Sequence, residues 1–178
     1  ADPNNILSVS SFSIYVVAKI SQNQVGSSFI ADSSGIYGWN LGLSATQDNK
    51  VVLTTANTRL SQPAQLTVDK YSLIVCTVSD TYERKLYING SLRTSDIGSV
   101  NYGDTAAIIG NLLAGDIAEI IVYQGVDEMQ NAATQAALID KYALLFSCAD
   151  QGIYFQADIN EDCYVNLEDF ARFTQDWL

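Results

Sequence analysis

The sequence predicts a mainly β fold: a two-sheet antiparallel sandwich, closed by one helix and followed by a small loop–helix appendage. Three features of the chain point there. Short segments alternating apolar and polar residues fill residues 12–123, an alanine-rich stretch follows Asp127, and the last thirty or so positions are dense in Asp and Asn. Alternation with period two is the mark of a half-buried strand, whereas recurrence at three and four residues marks a helix.

The first strand is the clearest. In the run from Phe12 to Ile20, Phe12, Ile14, Val16, Ala18 and Ile20 share one face, which is expected to be buried. Further strands are expected at 28–31, 35–44, 50–56, 73–78, 84–89, 105–110 and 116–123, each bounded by Gly, Asn, Asp or Ser. Asn89-Gly90, between Leu86-Tyr-Ile88 and Ser91-Leu-Arg93, predicts a tight type I′ hairpin, because both central residues of that turn need positive φ. The same residues form an Asn-x-Ser sequon, which the hairpin already explains. A helix is expected from the N-cap Asp127 to Phe146, with Met129, Ala132, Ala133, Ala136, Leu138, Tyr142 and Leu145 as its apolar face. This divides the chain into a sandwich over residues 1–146 and a small segment over 147–178.

The 178 residues are 48% hydrophobic and 16% charged, enough for one full core plus an appendage. No apolar run is long enough to span a membrane. The net charge of −11 and the lack of a Lys/Arg cluster argue against nucleic-acid and anionic-lipid partners and disfavour acidic partners generally. Ala1-Asp2-Pro3 reads as a mature terminus left by signal cleavage or as an expression remnant.

The most specific motif is the twelve-residue stretch 158–169. Asp158, Asn160, Asp162, Asn166 and Asp169 stand at positions one, three, five, nine and twelve, with the Tyr164 carbonyl available at seven. A hard cation that takes six to eight oxygens requires this spacing, so Ca²⁺ is the expected cofactor. Leu167, Phe170, Phe173, Trp177 and Leu178 then recur at helical steps. Position six is Cys163 rather than glycine, and position twelve is Asp rather than Glu, both of which lower the expected affinity. This Asp-x-Asn-x-Asp-x-x-x-Asn-x-x-Asp pattern followed by an amphipathic helix resembles one repeat of a dockerin, with Leu167-Glu168 at the pair by which a dockerin grips its partner.

Of three cysteines, Cys76 lies within an apolar strand and is expected in the core. Cys148 and Cys163 flank the entry to the acidic loop. A disulfide between them would stabilise the segment by about 3 kcal/mol and imply an oxidising compartment. Two unpaired thiols are the other reading.

Taken in order, Phe12-Ser-Ile-Tyr-Val-Val17, Gly38-Trp-Asn-Leu-Gly-Leu43, Leu86-Tyr-Ile-Asn-Gly90, Ile108-Ile-Gly-Asn111 and the run from Gly115 to Tyr123 resemble the laminin-G-like, concanavalin A-like jelly roll. The resemblance implies two curved antiparallel sheets with ligands on the concave face or loop rims. Ala118 stands where the family's Gly-x-Ile-Asp-Glu signature has Asp, and Glu119 is kept. Such domains begin with an extra strand, so Ile6–Val9 either completes a sheet or leaves an edge that recruits another strand.

Reaction chemistry finds no support in the sequence. The Glu-x-Asp-x-(x)-Glu triplet of glucanases on this fold is absent, Asp116 and Glu119 are three apart and so are expected on opposite strand faces, and the chain has no histidine. Binding candidates are Tyr37 and Tyr102, which can stack on sugar faces, with Asn40, Asn101 and Asp104 as hydrogen-bonding neighbours and Trp39 expected in the core. The expectation is therefore a secreted or cell-surface, non-catalytic module for recognition of a glycan or surface protein, with structural calcium. The alternatives are a subunit that polymerises with copies of itself through an open sheet edge, and an accessory module docking through residues 148–178.

Overall fold

The computed structural model describes residues 11–32, 39–55, 58–98 and 107–144, together with Ile159 and residues 170–173. The chain forms two compact units, Ala1–Leu144 and Leu145–Leu178. In the second, residues 170–173 are helical, with Phe170 and Phe173 exposed.

The first unit is a sandwich of two five-stranded antiparallel sheets followed by a helix. Its elements are β1 (Phe12–Ile20), β2 (Ser28–Asp32), β3 (Trp39–Leu43), β4 (Lys50–Thr55), β5 (Thr58–Gln65), β6 (Tyr71–Val78), β7 (Glu83–Ile88), β8 (Ser91–Ile97), β9 (Ala107–Ile109), β10 (Gly115–Gln124) and α1 (Glu128–Lys141). One sheet has the order β10-β1-β6-β7-β8 and the other β5-β4-β3-β2-β9; they are called the first and second sheet below.

Strand alternation builds the core between them. Phe12, Ile14, Val16, Ala18 and Ile20 all point into it, facing Trp39, Leu41 and Leu43 of β3 and Val51 and Leu53 of β4. Cys76 is buried there as a free thiol. The other face of β1 carries Tyr15 and Val17, which pack with Leu73 and Val75 beneath Leu138 and Leu144. The first sheet is thus covered on both faces. Asn89 and Gly90 have φ of 49° and 78°, as the type I′ turn requires, and Asn89 also accepts the Leu73 amide through Oδ1 at 2.8 Å.

Arg84 is the buried charge of the sandwich, 1% exposed. It donates from Nε to Asp96 Oδ1 at 2.7 Å and from Nη2 to Asp96 Oδ2, while Nη1 reaches Thr55 and Thr58 of the second sheet. A planar fork with five donors suits this task, since it bridges β7 to β8 and to the opposite sheet at once.

Two strands lie where no strand was expected, or only a fragment of one. β5 and β8 are edge strands in the described sheets, and both are polar: Thr58–Gln65 contains Pro63, and in Ser91–Ile97 only the hairpin arm was expected. Edge position tolerates a proline and hydrophilic side chains.

The helix starts where expected, with Asp127 Oδ1 accepting from the amides of Met129 and Gln130. It ends at Lys141 rather than at Phe146, and only part of the expected face is buried, Leu138 fully and Tyr142 in part. Asn131, Gln135 and Leu138 are buried, whereas Met129, Ala132, Ala133 and Ala136 are exposed. The sheet beneath presents the Tyr15 hydroxyl, which donates to Asn131 Oδ1 at 3.0 Å, and Gln135 Nε2 donates to the same oxygen at 3.1 Å. A buried hydroxyl needs a partner, and that need turns the polar side of the helix inward.

A second correction concerns β10. The register against β1 slips between Val17 and Ala18, so that Val17 pairs with Glu119 and Ala18 with Ile117. Ala118 is the extra residue of a β-bulge, and the bulge resets alternation. Asp116 and Glu119 therefore share one face instead of opposing ones.

Candidate functional site

The second sheet has one face in the core and one turned away from it. Core side chains at Trp39, Leu41, Leu53 and Leu60 place Asn40, Gly42, Val52, Thr54, Arg59 and Ser61 on the outer face. Pairing aligns these into rows across the strands. Ile108, Ala31, Asn40, Thr54 and Arg59 form one, and Ser28, Gly42, Val52 and Ser61 the next.

Apart from Ile108 and Val52, the rows are made of small and hydrogen-bonding residues. Asn40 Nδ2 donates to Ser28 Oγ at 2.8 Å, which holds the amide flat along the sheet, and Asn40 Oδ1 is buried and accepts no bond within the protein. Gly42 is required by space: a Cβ there would lie 2.3 Å from the Ser27 carbonyl and 2.9 Å from Ser28 Cα. The missing side chain lets the bulged β2 backbone come close. Arg59 is exposed and Asn40, Lys50, Thr54 and Ser61 are half-buried, whereas Ser28, Ala31, Gly42 and Val52 on the same face are buried. Helix α1 packs on β1 and β6 of the first sheet, away from this face.

Asp32 is in register with both Trp39 and Ala107, so the connections 33–38 and 99–106 both meet the second sheet at this end. They carry Tyr37, Asn101, Tyr102 and Asp104, which lie outside the described residues. So do the calcium candidates Asp158, Asn160, Asp162, Tyr164, Asn166 and Asp169, the cysteines Cys148 and Cys163, and Ile6–Val9. Trp39 is 2% exposed and belongs to the core. Arg59 and Ser61 were missed because β5 was, the available signal being their alternation about Leu60; Thr54 lies in the strand expected at 50–56 but was not singled out.

A second concavity, about 380 Å³, runs between β10 and α1 and is lined by Glu119, Ile121, Tyr123, Thr134, Ala137 and Lys141 among others. Its carboxylate is engaged. Lys141 donates to Glu119 at 2.9 Å, and this bond holds the Glu119 carboxyl below its usual range. Asp116, on the same face, pairs with Lys19 at 2.9 Å. Although the bulge brings both carboxylates to one face, each is committed to its own lysine. Among the described residues no three His, Cys, Asp or Glu side chains converge to hold a metal, and no described helix is long and apolar enough to cross a membrane.

Comparison with solved structures returns sandwiches of the same build. One is domain 4 of AbnA, a GH43 extracellular arabinanase from Geobacillus stearothermophilus, in complex with arabinotriose, with TM-score 0.61 and 15% identity over 75% of this chain and 70% of that one. Another is the Ruminococcus gnavus IT-sialidase CBM40 bound to α2,3-sialyllactose, with TM-score 0.58 and 14% identity over 73% and 84%. A third is the botulinum neurotoxin serotype D binding domain, with TM-score 0.56 and 21% identity over 76% of this chain but only 39% of that one. At these identities the likeness establishes the fold. No curated protein matches the sequence. The family model Laminin_G_3, described as the concanavalin A-like lectin/glucanases superfamily, matches residues 1–128. With the two-sheet sandwich in place and a family match over most of its length, this chain belongs to the Laminin_G_3 family of concanavalin A-like domains.

Proposed function

We propose that the chain is a non-catalytic glycan-binding module of a secreted or cell-surface protein, with a structural calcium ion in its C-terminal segment. The observation that carries this reading is the outer face of the second sheet. It offers Asn40, Thr54 and Arg59 in register, with Ser61 in the next row, which suits hydrogen bonding to sugar hydroxyls. The arabinanase domain and the sialidase module, which share the fold, were solved with oligosaccharides bound, and this supports the reading by analogy.

The test is a glycan array probed with the full chain, followed by calorimetry on each hit. Asn40→Ala and Tyr102→Ala are each expected to weaken binding about tenfold, the worth of one well-placed hydrogen bond or stacking contact. Array silence at millimolar glycan, or unchanged affinity in both variants, rejects the proposal.

The calcium site rests on the 158–169 spacing. Titrating Ca²⁺ into EDTA-stripped full chain is expected to give one site of about 10⁻⁴ M, in the range of extracellular modules. Asp162→Ala is expected to abolish the heat. A flat titration of the parent chain would remove calcium from the account.

A further inference from the structure

The charges of this protein are distributed unevenly between its sheets. Among the described residues, Lys19, Lys85, Arg84 and Lys141 each have a carboxylate partner: Asp116, Glu83 with Glu128, Asp96 and Glu119 respectively. All four lie on the first sheet or its helix. Lys50 and Arg59 have no such partner, and both belong to the second sheet. Strand parity puts them on the same side. Val51, Leu53 and Leu60 point into the core, so Lys50 and Arg59 point away from it, onto the face that carries Asn40 and Thr54. None of the described positions on that face is Asp or Glu.

We infer that the ligand of this face is an anionic glycan, one bearing carboxylate or sulfate groups, with Arg59 and Lys50 as its charge-reading contacts. The inference rests on the glycan-binding reading above and adds the chemical class of the ligand. In a chain of net charge −11, an acidic surface ordinarily neutralises its own cations, as it does Lys19, Arg84, Lys85 and Lys141. Two unopposed cations on one face make a locally positive strip within a negative molecule, so the whole-chain charge misstates what this face attracts. Arg59 stands in register with Thr54, and Thr54 with Asn40, so an anion held by the guanidinium is flanked by neutral donors for the rest of the same sugar. Lys50 lies four positions before Thr54 on the same strand. At a rise of about 3.3 Å per residue and a strand spacing of about 4.8 Å, the two cation-bearing positions are roughly 14 Å apart. That separation exceeds one sugar ring, and an extended oligosaccharide with repeated charges fits it.

The experiment is isothermal titration of the full chain with four probes: trigalacturonate, a heparin-derived tetrasaccharide, α2,3-sialyllactose and the neutral arabinotriose. The expected result is that at least one anionic probe binds tenfold or more tightly than arabinotriose, weakening as salt rises from 0.05 to 0.5 M. Its identity then separates carboxylate from sulfate. Arg59→Gln and Lys50→Gln should each weaken that probe about tenfold, the worth of a charge-assisted hydrogen bond, and Lys70→Gln, an unpaired cation outside both sheets, should leave it unchanged. Thermal melts of each variant control for folding. Equal or tighter binding of arabinotriose, or full affinity in the Arg59→Gln/Lys50→Gln double variant, overturns the anionic assignment while leaving glycan binding standing. Failure of all four probes overturns both.

Discussion

Raising the pH from 8 to 12 is expected to remove about 7 kcal/mol of folding stability, most of what a domain of this size has. Two buried acids produce the effect. Burial pushes the Cys76 thiol up from 9.0 to about 12, against a smaller opposing pull from the Arg84 charge. Burial likewise raises Tyr15 from 10.0 to about 12, reinforced by Tyr123 and Tyr87 and opposed by hydrogen bonding to Ser13 and Thr134. In both cases the folded pKa lies above the unfolded one. Their contribution is therefore complete below the unfolded value and is lost as the pH climbs toward the folded value, since only the unfolded chain releases the proton in that window. The thiol acts alone from pH 9 to 10, and both act from 10 to 12. At 1.36 kcal/mol per unit, the thiol accounts for about 4 kcal/mol and the phenol for about 3. Urea midpoints at pH 8, 9.5 and 11 give the profile, and Cys76→Val should flatten its first part. A midpoint that holds from pH 8 to 10 in the parent chain, or an identical slope in the variant, would contradict the assignment.

Replacing Trp39 with alanine is expected to cost about 4 kcal/mol, the usual loss for a large buried aromatic. The indole is 2% exposed and stands 5.2 Å from the Phe12 ring, tilted by 31°. It links the first residues of β3 and β1 across the core, so its removal empties space that two rigid sheets cannot close. A drop in melting temperature of roughly 8–16 °C should follow, read by circular dichroism, with Trp39→Phe intermediate. A loss below 1 kcal/mol would mean that the core repacks and that the Phe12 contact carries little.

The fold was legible in the sequence wherever one face of a strand is apolar and the other is not. β1 was read to the residue, and the Asn89-Gly90 turn and the Asp127 cap were read from local stereochemistry alone. What was lost was set by neighbours. β5 and β8 carry few core side chains because an edge strand donates to one partner only, so their sequences look like loop. The Ala118 bulge is invisible without the β1 register that defines it. The face of α1 is legible only at Leu138 and Tyr142, because alanine and methionine outrank Asn131 and Gln135 on any apolar scale, while the deciding group, the Tyr15 hydroxyl, lies 116 residues away. For the candidate site, Asn40 was named, whereas Arg59 depended on a strand that was not foreseen. The stacking and calcium residues were readable only as spacing and type.

The polar seam under α1 has a further consequence. An alanine-rich helix lying on a sheet meets little resistance to rolling about its own axis, because several orientations bury similar small side chains. The shared acceptor at Asn131, which takes bonds from Tyr15 and Gln135, is satisfied in one orientation alone. The seam thus selects a single roll angle for the helix, trading some hydrophobic contact for uniqueness.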